Sequence, residues 1–226
     1  MSESFLRVRG LRAGYAGSLV VNGIDLDVEP GEIVALLGRN GVGKSTAVSA
    51  ISGTLPLSAG EIDFGERTVT SLSPSARFRA GLRTMRQDKP VIGELSVRDN
   101  LALVGTTVAH AARYFPFIAE RGKQKAGTLS GGEQKMLAMA RQAANPGLLW
   151  ILDEPTEGLQ PANVERCSQL IADAASSGCA VLLVEQHLAM ALATAHRWYL
   201  VEKGLIKDAG QVTDSTHDTI ARELAL

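Results

Sequence analysis

Cysteine is scarce: Cys167 and Cys179 are the only two in 226 residues, and their spacing fits no metal-ligand pattern. Both are expected as reduced thiols of a cytoplasmic protein. Long apolar runs are missing too. Leu148 to Leu152 and Ala180 to Val184 are far shorter than the ~20 residues a membrane-spanning helix needs. The opening Met1-Ser2-Glu3-Ser4 is polar and acidic and lacks the apolar core of a signal peptide. A formal net charge of −1 gives no global attraction to nucleic acid or to an anionic surface. No internal repeat and no low-complexity linker interrupts the chain. What remains is the composition of a soluble globular protein, 45% apolar and 21% charged, long enough for one large domain or two small ones.

The chain is organised around Gly38-Arg39-Asn40-Gly41-Val42-Gly43-Lys44-Ser45-Thr46, which has the G-x-x-x-x-G-K-[ST] form of a P-loop. Ile33-Val34-Ala35-Leu36-Leu37 before it reads as a buried parallel strand. Ala47, Val48, Ala50 and Ile51 after it read as a helix that stops at Gly53. Strand, glycine loop and helix aim backbone N–H groups and a helix N-terminus at one point, which suits phosphate. Lys44 would reach the β- and γ-phosphates, and the Ser45 hydroxyl would take one position on Mg²⁺.

Elsewhere the pattern alternates. Phe5 to Leu11 and Leu19 to Val28 read as antiparallel strands joined by a turn at Gly14-Tyr15-Ala16-Gly17. Gly60 to Gly65 reads as a further short strand. Pro74 opens a basic helix ending at Gly81, and Leu82 to Met85 return as a strand. Val91 to Gly127 turns helical, Gly131 to Ala144 is a long helix, and Leu148 to Leu152 is a second buried strand. Helix Pro161 to Ser177, strand Ala180 to Val184, helix Leu188 to Ala195, a strand pair hinged at Gly204 and a last short helix complete the chain. The expected fold class is α/β: a P-loop core with a mostly parallel sheet, an N-terminal antiparallel β-subdomain and an inserted α-helical subdomain. Residues 1–87 and 145–226 would form the core and 88–144 the insertion, within a single domain.

Leu148-Leu149-Trp150-Ile151-Leu152-Asp153-Glu154 is a buried strand ending in two carboxylates, as a P-loop enzyme needs opposite its phosphates. Asp153 would hold Mg²⁺ directly or through water, and Glu154 would orient and polarise the attacking water. Leu129-Ser130-Gly131-Gly132-Glu133-Gln134 is more specific still, expected by chance in fewer than roughly one chain in ten thousand. Ser130 would N-cap the following helix, while Gly131 and Gly132 let another backbone come close. That makes a second phosphate-binding helix end. Two such ends suggest two nucleotides sandwiched between two chains, each P-loop closed by the partner's Ser130 helix.

The P-loop, the LSGGEQ stretch and the LLWILDEP strand, in this order and spacing, resemble the ATPase subunit of an ATP-binding cassette (ABC) transporter over essentially the whole chain. The resemblance implies ATP and Mg²⁺ as cofactors, and no N-K-x-D guanine motif is present. It implies that Gln87 joins the core to the helical subdomain, touches Mg²⁺ and senses the γ-phosphate, and that Tyr15 stacks on adenine. Ser130, Gly131, Gly132 and Glu133 would contact the partner's nucleotide. Its partners would be a second ATPase chain, identical or paralogous, transmembrane permease subunits and indirectly a solute-binding protein, but no nucleic acid. The location would be cytoplasmic, on the inner face of the plasma membrane.

Glu154-Pro155-Thr156-Glu157-Gly158-Leu159-Gln160-Pro161, Val184-Glu185-Gln186 and Lys125-Ala126-Gly127-Thr128 resemble the ATPases of branched-chain amino acid importers, or of urea and short-chain amide importers. Gln160 stands where most members have an aspartate. If the strand Ala180 to Val184 ends there, Glu185, Gln186 and His187 emerge at the phosphate edge, with Gln186 in the position of the family's switch histidine. A one-residue bulge would exchange Gln186 for His187. A soluble ABC ATPase of the iron–sulfur assembly type and a non-catalytic regulatory module are the rival readings, and Glu154 argues against the second.

Three smaller groups complete the reading. Arg77, Arg79, Arg83, Arg86 and Lys89 read as a solvated helix face and loop, because no aromatic is interleaved. His110, His196 and His217 lie outside every motif. Val91, Ile92 and Leu95 are either core of the helical subdomain or the lining of a groove for a membrane partner's helix.

Overall fold

Alternating apolar and polar residues build β1 (Leu6–Tyr15) and β2 (Ser18–Val28), paired antiparallel. The structure, a computed structural model, describes residues 5–85, 91–144 and 147–225. The first turn is tighter than expected, since Gly14 and Tyr15 stay in the ladder opposite Leu19 and Ser18. Only Ala16 (φ 49°) and Gly17 (φ 82°) turn, because two consecutive left-handed residues match the twist of the strands they join. β3 (Ile33–Leu37) is buried along its whole length and leads through the glycine loop into α1 (Lys44–Ile51). β4 (Ala59–Phe64) and β5 (Arg67–Thr68) extend the antiparallel sheet in the order β2-β1-β4-β5.

The basic segment behaves unlike a solvated face. In α2 (Pro74–Arg79), capped by the Ser73 hydroxyl, Arg77 is 1% exposed. Its guanidinium donates to Ala50 O (2.9 Å) and Ile51 O (2.6 Å) at the end of α1, and to Thr70 O (2.7 Å) and Leu72 O (3.1 Å). A cation facing the last carbonyls of a helix satisfies acceptors that the helix itself cannot. Each such charge-assisted bond contributes about 1.5–3 kcal/mol. Arg83, in β6 (Leu82–Met85), lies 3.9 Å over the Phe78 ring. Arg79 alone of the three is freely exposed, and Arg86 and Lys89 lie outside the described residues.

The stretch from Val91 is helical but broken into short pieces, α3 (Val97–Ala102), α4 (Val108–Ala111) and α5 (Phe117–Glu120), with a 3₁₀ turn at Ala126–Thr128. Ser96 and Thr107 restart the helix by accepting from Asp99 N and His110 N. Asn100, fully buried, binds both backbone groups of Ile92 (3.0 and 2.9 Å), so the segment before α3 is fixed. Val91 packs on the core and Ile92 points out, 45% exposed.

The remaining elements are α6 (Gly131–Ala144), β7 (Leu149–Asp153), α7 (Pro161–Ser176), β8 (Ala180–Glu185), α8 (Leu188–Thr194), β9 (Arg197–Glu202), β10 (Leu205–Gln211) and α9 (Thr216–Ala225). Leu148 is not part of the buried strand. It is 54% exposed and lies across Gly81, where an added Cβ would come within 3.0 Å of its side chain. The second sheet runs β10-β9-β3-β8-β7-β6, parallel except for β10.

Its two faces carry different cores. Val34, Leu36, Leu182 and Val184 meet α1 and the antiparallel sheet. Leu37, Leu152 and Leu183 share the other core with Leu101, Phe115, Ile118 and Leu137 of the helical stretch. The inserted helices are thus bonded to the sheet by common burial. Among the described residues no helix is long and apolar enough to cross a membrane.

Candidate active site

β3, β8 and β7 are adjacent and parallel, with Leu37 opposite Glu185 and Asp153 opposite Val184. Their carboxyl ends therefore deliver the glycine loop, Gln186 and Glu154 to one edge, where open α/β sheets bind ligands. The cavity there is about 340 Å³ and is lined by Val20, Asn40, Gly41, Gly43 to Thr46, Glu154, Glu157 and Gln186.

Two glycines of the loop have no substitute. Gly38 (φ 151°) would drive a Cβ to 2.6 Å from Val201 O, and Gly43 (φ 109°) forms the N-cap of α1 with no side chain over the helix end. The leading N–H groups of α1 are left facing the cavity. Arg39 and Val42 turn away and line a separate hollow with Val201 and Lys203. Within α1 every residue is buried except Ser45, which lines the cavity together with Lys44 and Thr46. Lys44 is 4% exposed and donates to Gly38 O (2.8 Å) and Arg39 O (2.9 Å). Burial pulls its pKa below the ordinary lysine value, and the charges of Glu154, Asp153 and Glu185 hold it partly up.

Opposite stands an acidic turn. Asp153 (5% exposed) ends β7, and Glu154 (7% exposed) follows with φ 50°, its N–H donating to Val184 O (2.9 Å). A left-handed non-glycine residue costs about 1–3 kcal/mol and persists only where its surroundings hold it. Burial raises the Glu154 carboxyl pKa. Glu157, Asp153 and Glu185 push the same way, and Lys44 opposes them.

Glu185 corrects one expectation. It does not emerge at the phosphate edge but is the last residue of β8, fully buried. Its Oε1 accepts from Thr156 N (3.3 Å) and Thr156 Oγ1 (2.8 Å), beneath the turn. The strand runs one residue further without a bulge, so Gln186 lies on the cavity. His187 is the exposed N-cap of α8 and does not line it.

The Ser130 segment lies elsewhere. Ser130 Oγ accepts from Glu133 N (3.3 Å), and Glu133 Oε2 accepts from Ser130 N (2.9 Å), a reciprocal capping box at the start of α6. Gly131 and Gly132 leave this end open on a groove of about 920 Å³ that also includes Phe117, Gln160 and Arg166. This groove and the P-loop cavity share one lining residue, Glu157.

The sequence motifs thus assemble in two separate places, Lys44, Ser45 and Glu154 on one cavity and Ser130 on another groove. Tyr15 is 55% exposed at the β1–β2 hairpin and lines neither. Gln87 lies outside the described residues. Glu157, Val20 and Lys135 were not singled out from sequence. The S-x-x-E spacing of Ser130 and Glu133 was a readable signal for their mutual cap, whereas cavity contact by Val20 and Glu157 is a product of the fold. Cys167 and Cys179 are buried thiols pushed up to about 12, so neither offers a thiolate.

Known proteins share this fold. The family model for ABC transporters matches residues 21–157. The high-affinity branched-chain amino acid transport ATP-binding protein BraG of Pseudomonas aeruginosa is 34% identical over 202 residues, covering 85% of this chain and 87% of its own. The lipopolysaccharide export system ATP-binding protein LptB of Escherichia coli K12 is 32% identical over 233 residues, covering 98% and 96%. A dimeric ATP-binding cassette solved in a post-hydrolysis state with ADP and phosphate superposes with a TM-score of 0.83 at 20% identity, over 92% of this chain and 99% of that one. The chain, with its P-loop core, antiparallel sheet and helical insertion, belongs to the ABC transporter ATP-binding family and is an ATPase.

Proposed function

We propose that this ATPase powers a solute importer, taking branched-chain amino acids or urea and short-chain amides, from the cytoplasmic face of the membrane. Two chains would sandwich two ATP molecules. One observation carries the hydrolytic part: Lys44, Ser45, Glu154 and Gln186 meet on one cavity. Lys44 would transfer its ammonium from the loop carbonyls to the β- and γ-phosphates. Glu154 would take the proton of the water that attacks the γ-phosphorus.

A hydroxyl and a carboxylate completed by phosphate oxygens suit Mg²⁺, and Ser45 and Asp153 would hold it, with Gln87 from outside the described residues. The ion would neutralise charge developing on the phosphates. In this reading residues 1–87 and 145–226 are the nucleotide-binding core, and 88–144 present Ser130, Gly131, Gly132 and Glu133 to the partner's nucleotide.

Gln186 would donate an amide hydrogen bond to a γ-phosphate oxygen and cannot titrate in this range, unlike a histidine. Gln186→Ala should lower turnover about tenfold or more, as expected for loss of a charge-assisted hydrogen bond of about 1.5–3 kcal/mol. His187→Ala should leave turnover near wild type. Phosphate release by both variants decides it, and the reverse result would make the histidine the switch.

Likeness to BraG supports branched-chain amino acid transport, and the resemblance of Val184-Glu185-Gln186 to importer ATPases supports import. Likeness to LptB supports export as a second reading. Affinity purification of the tagged chain from detergent-extracted membranes tests the transport role: a polytopic permease should accompany it, and its identity separates import from export. Recovery only as an active ATPase free of any membrane protein would favour a soluble factor instead.

A further inference from the structure

The turn that carries Glu154 is clasped from two sides. Glu185 holds Thr156 from beneath, as described. From the other side comes Lys135, one turn into the Ser130 helix and mostly buried. Its ammonium donates to Glu154 O (3.2 Å), Glu157 O (2.8 Å) and Glu157 Oε2 (3.2 Å). Three donors thus meet three acceptors, all on the turn that begins with the left-handed Glu154. The same two parts also run close together: a Cβ added at Gly132 would lie 3.0 Å from Leu159 Cδ2. Glu157, the acidic partner of Lys135, lines both the P-loop cavity and the Ser130 groove.

We infer that Lys135 is a positioning residue that fixes the backbone of the Glu154 turn to the Ser130 helix, so that the two nucleotide half-sites of one chain move together. The inference rests on Glu154 as the base and Ser130 as the partner-facing end. Its physical content is specific. Glu154 O, the main-chain carbonyl of the reacting residue, is bonded by an ammonium whose own helix ends at Ser130. A shift of that helix end is therefore transmitted to the residue that handles the attacking water. The ammonium does this as a point donor with three directions, and no neutral side chain of similar length offers as many. Lys135 touches neither a nucleotide nor water in this scheme. Its effect belongs in turnover rather than in affinity.

The test is steady-state phosphate release across ATP concentrations for Lys135→Met, Lys135→Arg and Glu154→Gln, with fluorescent-ATP binding and thermal melting on each. Lys135→Met should lower kcat about tenfold while KM and nucleotide affinity stay within about twofold and melting is unchanged. Lys135→Arg, which keeps a cation and several donors, should restore most of the loss. Turnover of Lys135→Met within twofold of wild type, alongside an inactive Glu154→Gln, would overturn this inference alone. An active Glu154→Gln would overturn the underlying reading of the site and this inference with it. A parallel fall in kcat and melting temperature, unrelieved by arginine, would reduce Lys135 to a structural tether and overturn the positioning role. Should Lys135→Met fail to fold, Lys135→Gln, a neutral donor, takes its place with the same criteria.

Discussion

Glu154→Gln should cut phosphate release at least about a hundredfold while ATP remains bound. The substitution preserves volume and hydrogen-bonding capacity in a side chain that is 7% exposed, and the backbone bond to Val184 O does not depend on it. What disappears is the carboxylate that can accept a proton. The wild-type pH profile should carry the signature of that group. Burial raises its pKa above 4.5, so activity falls on the acid side at a higher pH than for a free glutamate. That acid limb should be missing from whatever activity Glu154→Gln retains.

Stability moves in the opposite sense. A carboxyl with a raised folded-state pKa favours the fold while protonated and loses that contribution as pH rises through the folded value. Near neutrality the glutamine variant should therefore melt no lower than wild type. Filter binding of ATP, phosphate release from pH 5 to 9 and a melting curve make the measurement. Turnover near wild type would remove Glu154 from its role.

Two inactive chains should make one active enzyme. Lys44→Ala removes the ammonium of the P-loop cavity, and Ser130→Arg fills the start of α6 in a separate groove. If each nucleotide lies between one chain's Lys44 and its partner's Ser130, a mixed dimer contains one site with both residues intact. Equal mixing should then recover about a quarter of wild-type activity per chain, because half the dimers are mixed and each keeps one of two sites. ATPase activity per wild-type chain should also rise with protein concentration before it saturates. Activity independent of concentration, from a chain that sediments as a monomer, would rule out the sandwich.

Most of the site was legible because its chemistry is local. Strand, glycine loop and helix are contiguous, and Ile33 to Ile51 fold with their pattern intact. Asp153 and Glu154 follow directly from a fully apolar run. Long-range partners were not legible. Arg77 is one arginine among several in sequence, yet its guanidinium ends a helix whose carbonyls lie 26 and 27 residues earlier. Glu185 looked like a polar exit from a strand because its partner, Thr156, is 29 residues away. The helical stretch from Val91 was read correctly in kind but not in its breaks, since left-handed Gly105 (φ 76°) turns the chain after α3 and the Thr107 cap starts α4 afresh.

Lys44 sits against the carbonyls of its own loop, and that arrangement gives the P-loop an internal template. The ammonium braces Gly38 and Arg39 at 2.8 and 2.9 Å, a ring of chain closed by a cation rather than by a bond. Under the proposed function an arriving phosphate would compete with two neutral oxygens for one nitrogen. The handover would exchange weak ligands for strong anionic ones without organising a new segment. Recognition would then be ligand substitution at a single atom, with the ordering entropy of the glycine loop already lost in folding.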